Sequence, residues 1–187
     1  MVKNRIAVFI DRDGTIIEEL EYLKEPERIR LIPYSADAIR SLNEREILAI
    51  IVSNQAGVAR GYFSEETVKE MNERLEELLS KEGAYLDAIY YCPHHAEFGP
   101  PEYRKDCNCR KPKPGMLLKA AKRFHLNLKG CYVIGDRADD IRLARNVGAK
   151  GILVLTGYGQ RAREEIKPDY MTKDLYQAVK WIINEVK

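Results

Sequence analysis

Five short runs rich in isoleucine, valine and tyrosine, at residues 5–10, 47–52, 88–91, 131–134 and 151–155, alternate along the chain with segments patterned as helices. Each run is almost continuously apolar, which fits a strand covered on both faces rather than one with a wet side. The helical patterns fall at 35–45, 64–81, 115–124 and 138–146, with a last one near 174–186. In the longest, Ser64 is placed to cap the N-terminus, and Glu65 and Glu66 suit the positive end of the helix dipole. Val68, Met71, Leu75, Leu78 and Leu79 form one apolar stripe there, and Gly83 ends it. Such a stripe is a core face, not a cofactor box. The alternation predicts an α/β fold, a doubly wound Rossmann-like parallel sheet, with ligands beyond the C-terminal ends of its strands.

A length of 187 residues suits one domain with a real core. The 31 Lys and Arg are balanced by 29 Asp and Glu, and the signs are interspersed, so neither nucleic acid nor a membrane surface is an expected partner. Met1, Val2, Lys3 and Asn4 lead directly into the first apolar run with no leader-like segment, and no 18-residue apolar stretch occurs. A cytoplasmic protein is expected. In that reducing compartment, closely spaced cysteines predict a metal site rather than disulfides.

The ends of the strands carry the polar residues. The first run ends in "FIDRDGTI", where Asp11 and Asp13, two apart in extended chain, project to one side and Gly14 permits a sharp departure. Carboxylates forced together call for a cation, and hard oxygen ligands favour Mg²⁺. The second run ends in "IIVSNQAG", placing Ser53 and Asn54 at the same edge, and the fourth in "VIGDRADDI", delivering Asp136, Asp139 and Asp140. Any one of these alone would be a routine turn or cap. Their coincidence on three strands that this topology sets side by side marks a site. "CRKPKPG" adds Arg110 and Lys111, cations placed over the mouth of that site to meet negative phosphate.

Three of the four cysteines and two of the three histidines fall between residues 90 and 115. Cys92-Pro-His94 and Cys107-Asn-Cys109 make two half-sites of soft S and N donors, a set that matches a closed, structural tetrahedral Zn²⁺ site. His95 is an alternative to His94. Prolines and polar residues around them describe an irregular loop that offers little core in which to hide thiols. Zinc would staple this loop and fix the direction of Arg110 and Lys111. Cys131 begins an apolar run and reads as a small core residue.

Asp11-Arg12-Asp13-Gly14-Thr15, Ser53, Lys111, and Gly135-Asp136 with Asp140 resemble, in order and over nearly the whole chain, the motifs of the haloacid dehalogenase superfamily. The resemblance implies strand order 3-2-1-4-5, no large cap domain, and a zinc-stapled loop between strands 3 and 4. Residues 1–187 then form a single phosphatase domain. Implied catalytic residues are Asp11 as nucleophile, Asp13 as acid and then base, and Ser53 and Lys111 for phosphoryl charge. Mg²⁺ would be held by Asp11, the Asp13 backbone carbonyl and Asp136, with Asp140 behind or through water.

"CPHH", "CNCRKPKPGM" and "SNQAGVARG" resemble a capless, zinc-containing branch of heptose bisphosphate and histidinol-phosphate phosphatases. That branch implies removal of the C7 phosphate of a heptose 1,7-bisphosphate on the way to lipopolysaccharide precursors, or alternatively of histidinol phosphate. Ser53 stands where the heptose enzymes carry Thr, with the hydroxyl kept. Asn54, Gln55, Arg110 and Arg137 are the expected substrate-binding residues, with Glu19 and Tyr22 from the loop at 18–22. The expected partner is a small phosphorylated sugar and the expected state a monomer. A signalling receiver domain would lack a partner carboxylate such as Asp13, and a nucleic-acid zinc finger would need a basic helix that this chain does not have.

Overall fold

The computed structural model describes residues 5–186. Six parallel strands make one sheet: β1 (Ala7–Ile10), β2 (Leu48–Asn54), β3 (Ala88–Cys92), β4 (Tyr132–Gly135), β5 (Lys150–Val154) and β6 (Tyr170–Thr172). Their spatial order is β3-β2-β1-β4-β5-β6, with β1 in the middle. Six helices cover the faces: α1 (Ser35–Asn43), α2 (Glu65–Lys81), α3 (Gly115–Phe124), α4 (Ala138–Val147), α5 (Gly159–Glu165) and α6 (Leu175–Glu185). The expected doubly wound fold and the order 3-2-1-4-5 are present, extended by a sixth strand.

Alternate residues of a strand point to opposite faces, and β1 shows this directly. Val8 and Ile10 join a core with residues of α1, α2 and α6, while Ala7 and Phe9 join a second core with residues of α3 and α4. All four are fully buried, which explains the unbroken apolar pattern. Ser64 caps α2 by accepting from the Thr67 N–H at 3.1 Å, and Asp174 caps α6 by accepting from Gln177 at 2.8 Å. Cys131 is buried just ahead of β4, as its apolar setting predicts. Leu78 of the predicted stripe is only partly buried.

Two elements, α5 and β6, were not expected. β6 has three residues, none fully buried, and α5 buries only Gly159 and Ala162, so neither displays a period to read. Among the described residues, no helix is long and apolar enough to cross a membrane. The expectation drawn from Met1 to Asn4 lies outside the described residues.

The register places the chemistry. Ile10 pairs with Ile51 on one side and Ile134 on the other, and the Asp11 N–H continues the ladder to the Ile134 carbonyl at 2.9 Å. The residues that follow therefore emerge together at the C-terminal edge, where open parallel sheets bind ligands.

Candidate active site

Asp11, Asp136 and Asp140 bring carboxylate oxygens within 4.8 Å of one another, and all three side chains are buried. One cation answers them. Lys111 Nζ lies 2.8 Å from Asp11 Oδ1 and 2.7 Å from Asp140 Oδ1, and donates to the Val52 carbonyl at 2.9 Å. The sequence suggested a lysine over the mouth of the cleft; the structure instead buries it, 4% exposed. The cause is local. Asn54 Oδ1 accepts from the Lys111 N–H at 3.0 Å while its Nδ2 donates to the Lys111 carbonyl at 3.2 Å, so the backbone is clamped against the end of β2. Burial alone would pull the ammonium down, but Asp11 and Asp140 outweigh it and hold Lys111 above the ordinary lysine range.

One ammonium does not balance the carboxylates. Burial, then Asp11 and Asp140, push Asp136 up to about 8, although the Tyr158 N–H donates to its Oδ2 at 2.8 Å. Burial also raises Asp140, to about 6, against the opposing pull of Lys111. Asp140 has both oxygens engaged, Oδ1 by Lys111 and Oδ2 by the Arg137 N–H at 3.1 Å. Asp136 Oδ1, by contrast, is buried without a partner. A Cβ on Gly14 or on Gly157 would stand 2.2 Å from Asp136 Oδ2, and both glycines have positive φ, so the carboxylate is seated where only glycine fits. Hard oxygens, surplus negative charge and one unused buried oxygen fit Mg²⁺.

The carboxylate of Asp13 lies in the same cleft but outside this cluster. β1 stops at Ile10, and the Arg12 carbonyl gathers the N–H groups of Thr15, Ile16 and Ile17, so the chain is no longer extended between the two aspartates. Gln55 Nε2 donates to Asp13 Oδ2 at 2.8 Å and to Ser53 Oγ at 2.7 Å, linking the predicted acid to the predicted hydroxyl.

The second cluster joins Cys92, the last residue of β3, to the loop that runs on to α3. Cys92, Cys107 and Cys109 have Sγ atoms 3.0–3.4 Å apart, and His94 Nδ1 is 3.2 Å from Cys109 Sγ and 3.6 Å from Cys92 Sγ. These separations exceed a disulfide bond of about 2.05 Å. The thiols are free, and four soft donors converge on one point, a set that fits tetrahedral zinc. Of the two histidines, His94 joins the cluster; His95 Nδ1 accepts from the Glu97 N–H at 3.1 Å. Glu65, in the first turn of α2, accepts from the hydroxyls of Tyr91 at 2.7 Å and Tyr103 at 3.0 Å, tying the loop to the body.

Comparison with known proteins agrees with this geometry. A HAD-hydrolase-like family model matches residues 108–178. The D-glycero-D-manno-heptose-1,7-bisphosphate 7-phosphatase of Thermosynechococcus vestitus is 43% identical over 190 aligned positions, spanning 95% of each chain. The D-glycero-beta-D-manno-heptose-1,7-bisphosphate 7-phosphatase of Escherichia coli K12 is 37% identical, covering all of this chain and 92% of its own. The chain belongs to the haloacid dehalogenase-like phosphatases. A crystal structure of D,D-heptose 1,7-bisphosphate phosphatase from B. bronchiseptica, complexed with magnesium and phosphate, superposes with a TM-score of 0.86 at 28% identity. It covers 96% of this chain and 98% of the other.

The cleft of this phosphatase has a volume of about 360 Å³, and Glu19, Tyr22, Asn54, Gln55, Arg110 and Arg137 all line it. Asn54 spends both ends of its amide on the Lys111 backbone. Arg110 donates to the His94 carbonyl at 3.3 Å, so its direction is coupled to the thiol cluster. Arg137 lies 3.4 Å from Glu19 and 4.0 Å above the Tyr158 ring. Burial, then Asp13, raises Glu19, with Arg137 pulling the other way. Sequence reasoning missed Tyr158, Arg12 and Asn72.

Proposed function

We propose that this phosphatase removes the C7 phosphate of D-glycero-D-manno-heptose 1,7-bisphosphate through an aspartyl-phosphate on Asp11. The observation that carries the mechanism is Asp11 Oδ1 held 2.8 Å from a buried Lys111 beside two further carboxylates, at the floor of a polar cleft. The names of the relatives support the sugar. Lys111 orients the Asp11 carboxylate for attack and then meets charge on the phosphoryl oxygens, with the Ser53 hydroxyl beside it. Asp13 gives a proton to the leaving oxygen and later takes one from the attacking water. Asp11, Asp136 and the Asp13 backbone carbonyl would hold Mg²⁺, with Asp140 behind, supplying the positive charge that lets a carboxylate approach an anionic phosphate. The magnesium and phosphate complex of the B. bronchiseptica enzyme supports this assignment. Cys92, His94, Cys107 and Cys109 would hold zinc as a staple for the loop that carries Arg110.

Arg110, Arg137, Glu19, Tyr22 and Gln55 would hold the sugar, so the primary C7 ester reaches Asp11 while the anomeric phosphate stays outside. One sheet running from Ala7 to Thr172 supports reading residues 1–187 as one domain; that this domain acts as a cytoplasmic monomer is part of the same proposal. The test compares kcat/KM for heptose 1,7-bisphosphate with histidinol phosphate and fructose 1,6-bisphosphate. The heptose substrate should lead, with phosphate released from C7 alone. A tenfold or greater preference for histidinol phosphate would remove the sugar assignment and leave the mechanism standing.

A further inference from the structure

Arg12 heads the large side chains that are fully buried, at 2% exposure, although its neighbours in sequence are the two aspartates of the cleft. A guanidinium is tolerated so deep only where its donors are met. Nε lies 3.2 Å from Asp13 Oδ2, and Nη2 lies 3.2 Å from Oδ1 and 3.1 Å from Oδ2, a side-on fork on the carboxylate. Nη1 donates to Asn72 Oδ1 at 3.0 Å. Asn72 is the one polar residue among the buried residues of α2, which are otherwise Val68, Met71, Leu75 and Leu79. No residue of α2 lines the cleft, so whatever Asn72 contributes passes through Arg12.

We propose that Arg12, anchored by Asn72, is a positioning residue that sets the Asp13 carboxylate for proton transfer and makes Oδ1 the oxygen that carries the proton. The inference rests on the reading of Asp13 as acid and base. Oδ2 accepts from Arg12 Nε and, at 2.8 Å, from Gln55 Nε2, which uses both of its lone pairs. Oδ1 faces Arg12 Nη2 alone among the described residues and keeps a lone pair for the proton. In the first half-reaction an Asp11 oxygen bonds to phosphorus as the bond from phosphorus to the alkyl oxygen breaks. The Oδ1 proton passes to that oxygen, which leaves as an alcohol. Asp13 is then the carboxylate that the Arg12 fork matches. In the second, water bonds to phosphorus, its proton passes to Oδ1, and the bond to Asp11 breaks, releasing phosphate and restoring both aspartates.

The alcohol departs in the first half-reaction, so kcat/KM reports that half alone. An alkyl phosphate needs a proton at its leaving oxygen, whereas p-nitrophenolate leaves without one. Arg12→Met should lower kcat/KM for the heptose bisphosphate by about 10²-fold, the scale of a misplaced catalytic group, and for p-nitrophenyl phosphate by less than about fivefold. Arg12→Lys, with no fork, should fall between, and Asn72→Leu should lose roughly tenfold on the alkyl ester only. Equal losses on the two esters in the folded variants would overturn the proposal. If Arg12→Met does not fold, Asn72→Leu decides it by the same ratio. Asp13→Asn separates the two ideas. Selective loss there with unselective Arg12 and Asn72 variants defeats the positioning role alone, and unselective loss in Asp13→Asn defeats the acid assignment and the proposal with it.

Discussion

Asp11, Asp136 and Asp140 stand at the ends of β1 and β4 and in the first turn of α4, on a sheet buried on both faces. Cys92, at the end of β3, and His94, Cys107 and Cys109 in the loop that follows close on each other, and Glu65 of α2 holds that loop to the body through the Tyr103 hydroxyl. The first group leaves Asp136 Oδ1 unused, and its Asp11 and Asp140 line a cleft; the second brings four donors to one point. Hard oxygens with charge to spare, on rigid supports, describe a centre where chemistry happens. Soft donors that saturate one another describe a centre that holds a chain in shape. Removing a member of the first should therefore cost turnover while the fold survives, and removing a member of the second should cost order first.

The largest effect is expected at Asp11. Asp11→Asn should keep its circular dichroism spectrum and lose at least ~10³-fold in phosphate release, as loss of a nucleophile does. Activity within tenfold of the parent would break the assignment of that cluster. Asp136→Asn should come next, raising the Mg²⁺ concentration for half-maximal rate by ~10²-fold with little change at saturation; an unchanged titration would place the cation elsewhere. Cys109→Ser should bind less than one zinc per chain by elemental analysis, expose residues 93–109 to protease, and lose roughly tenfold in activity because Arg110 and Lys111 follow directly. Brief EDTA treatment should be reversed by Mg²⁺ alone, but not after zinc has been stripped. Intact loop protection without zinc would erase the contrast between the two clusters. Tyr103→Phe should be the mildest, lowering the midpoint of denaturant unfolding slightly with turnover within about twofold.

How far the sequence could be read follows from what each residue contributes. β1, β2, β4 and β5 were legible because their burial on both faces leaves unbroken apolar runs, β3 because its edge position still keeps an apolar and aromatic run, and the first and fourth strand ends announced themselves through aspartates. The thiol cluster was legible from spacing, yet two adjacent histidines offer the same spacing, and only the direction of the His95 ring toward the Glu97 N–H separates them. Lys111 was found but misplaced, because its burial depends on Asn54, 57 residues away, gripping its backbone. Tyr158 was invisible for a different reason: it offers Asp136 a backbone N–H, which any residue but proline could supply. Arg12 and Asn72 form a pair 60 residues apart, and an asparagine within an apolar stripe reads as noise until the helix is laid against its partner.

The central place of β1 has a consequence for how the protein is made. β1 gains β2 as a neighbour early in synthesis, but its other edge stays open until residues 132–134 arrive. The floor of the cleft closes later still, when Thr156 Oγ1 reaches the Gly14 carbonyl at 2.6 Å and Tyr158 reaches Asp136. A nascent chain therefore carries Asp11 through most of translation without the neighbours that surround it in the folded cleft. During that interval the bare edge of β1 is the surface on which a foreign strand could add, so the slow, long-range pairing that builds the site is also its period of greatest exposure to misassembly.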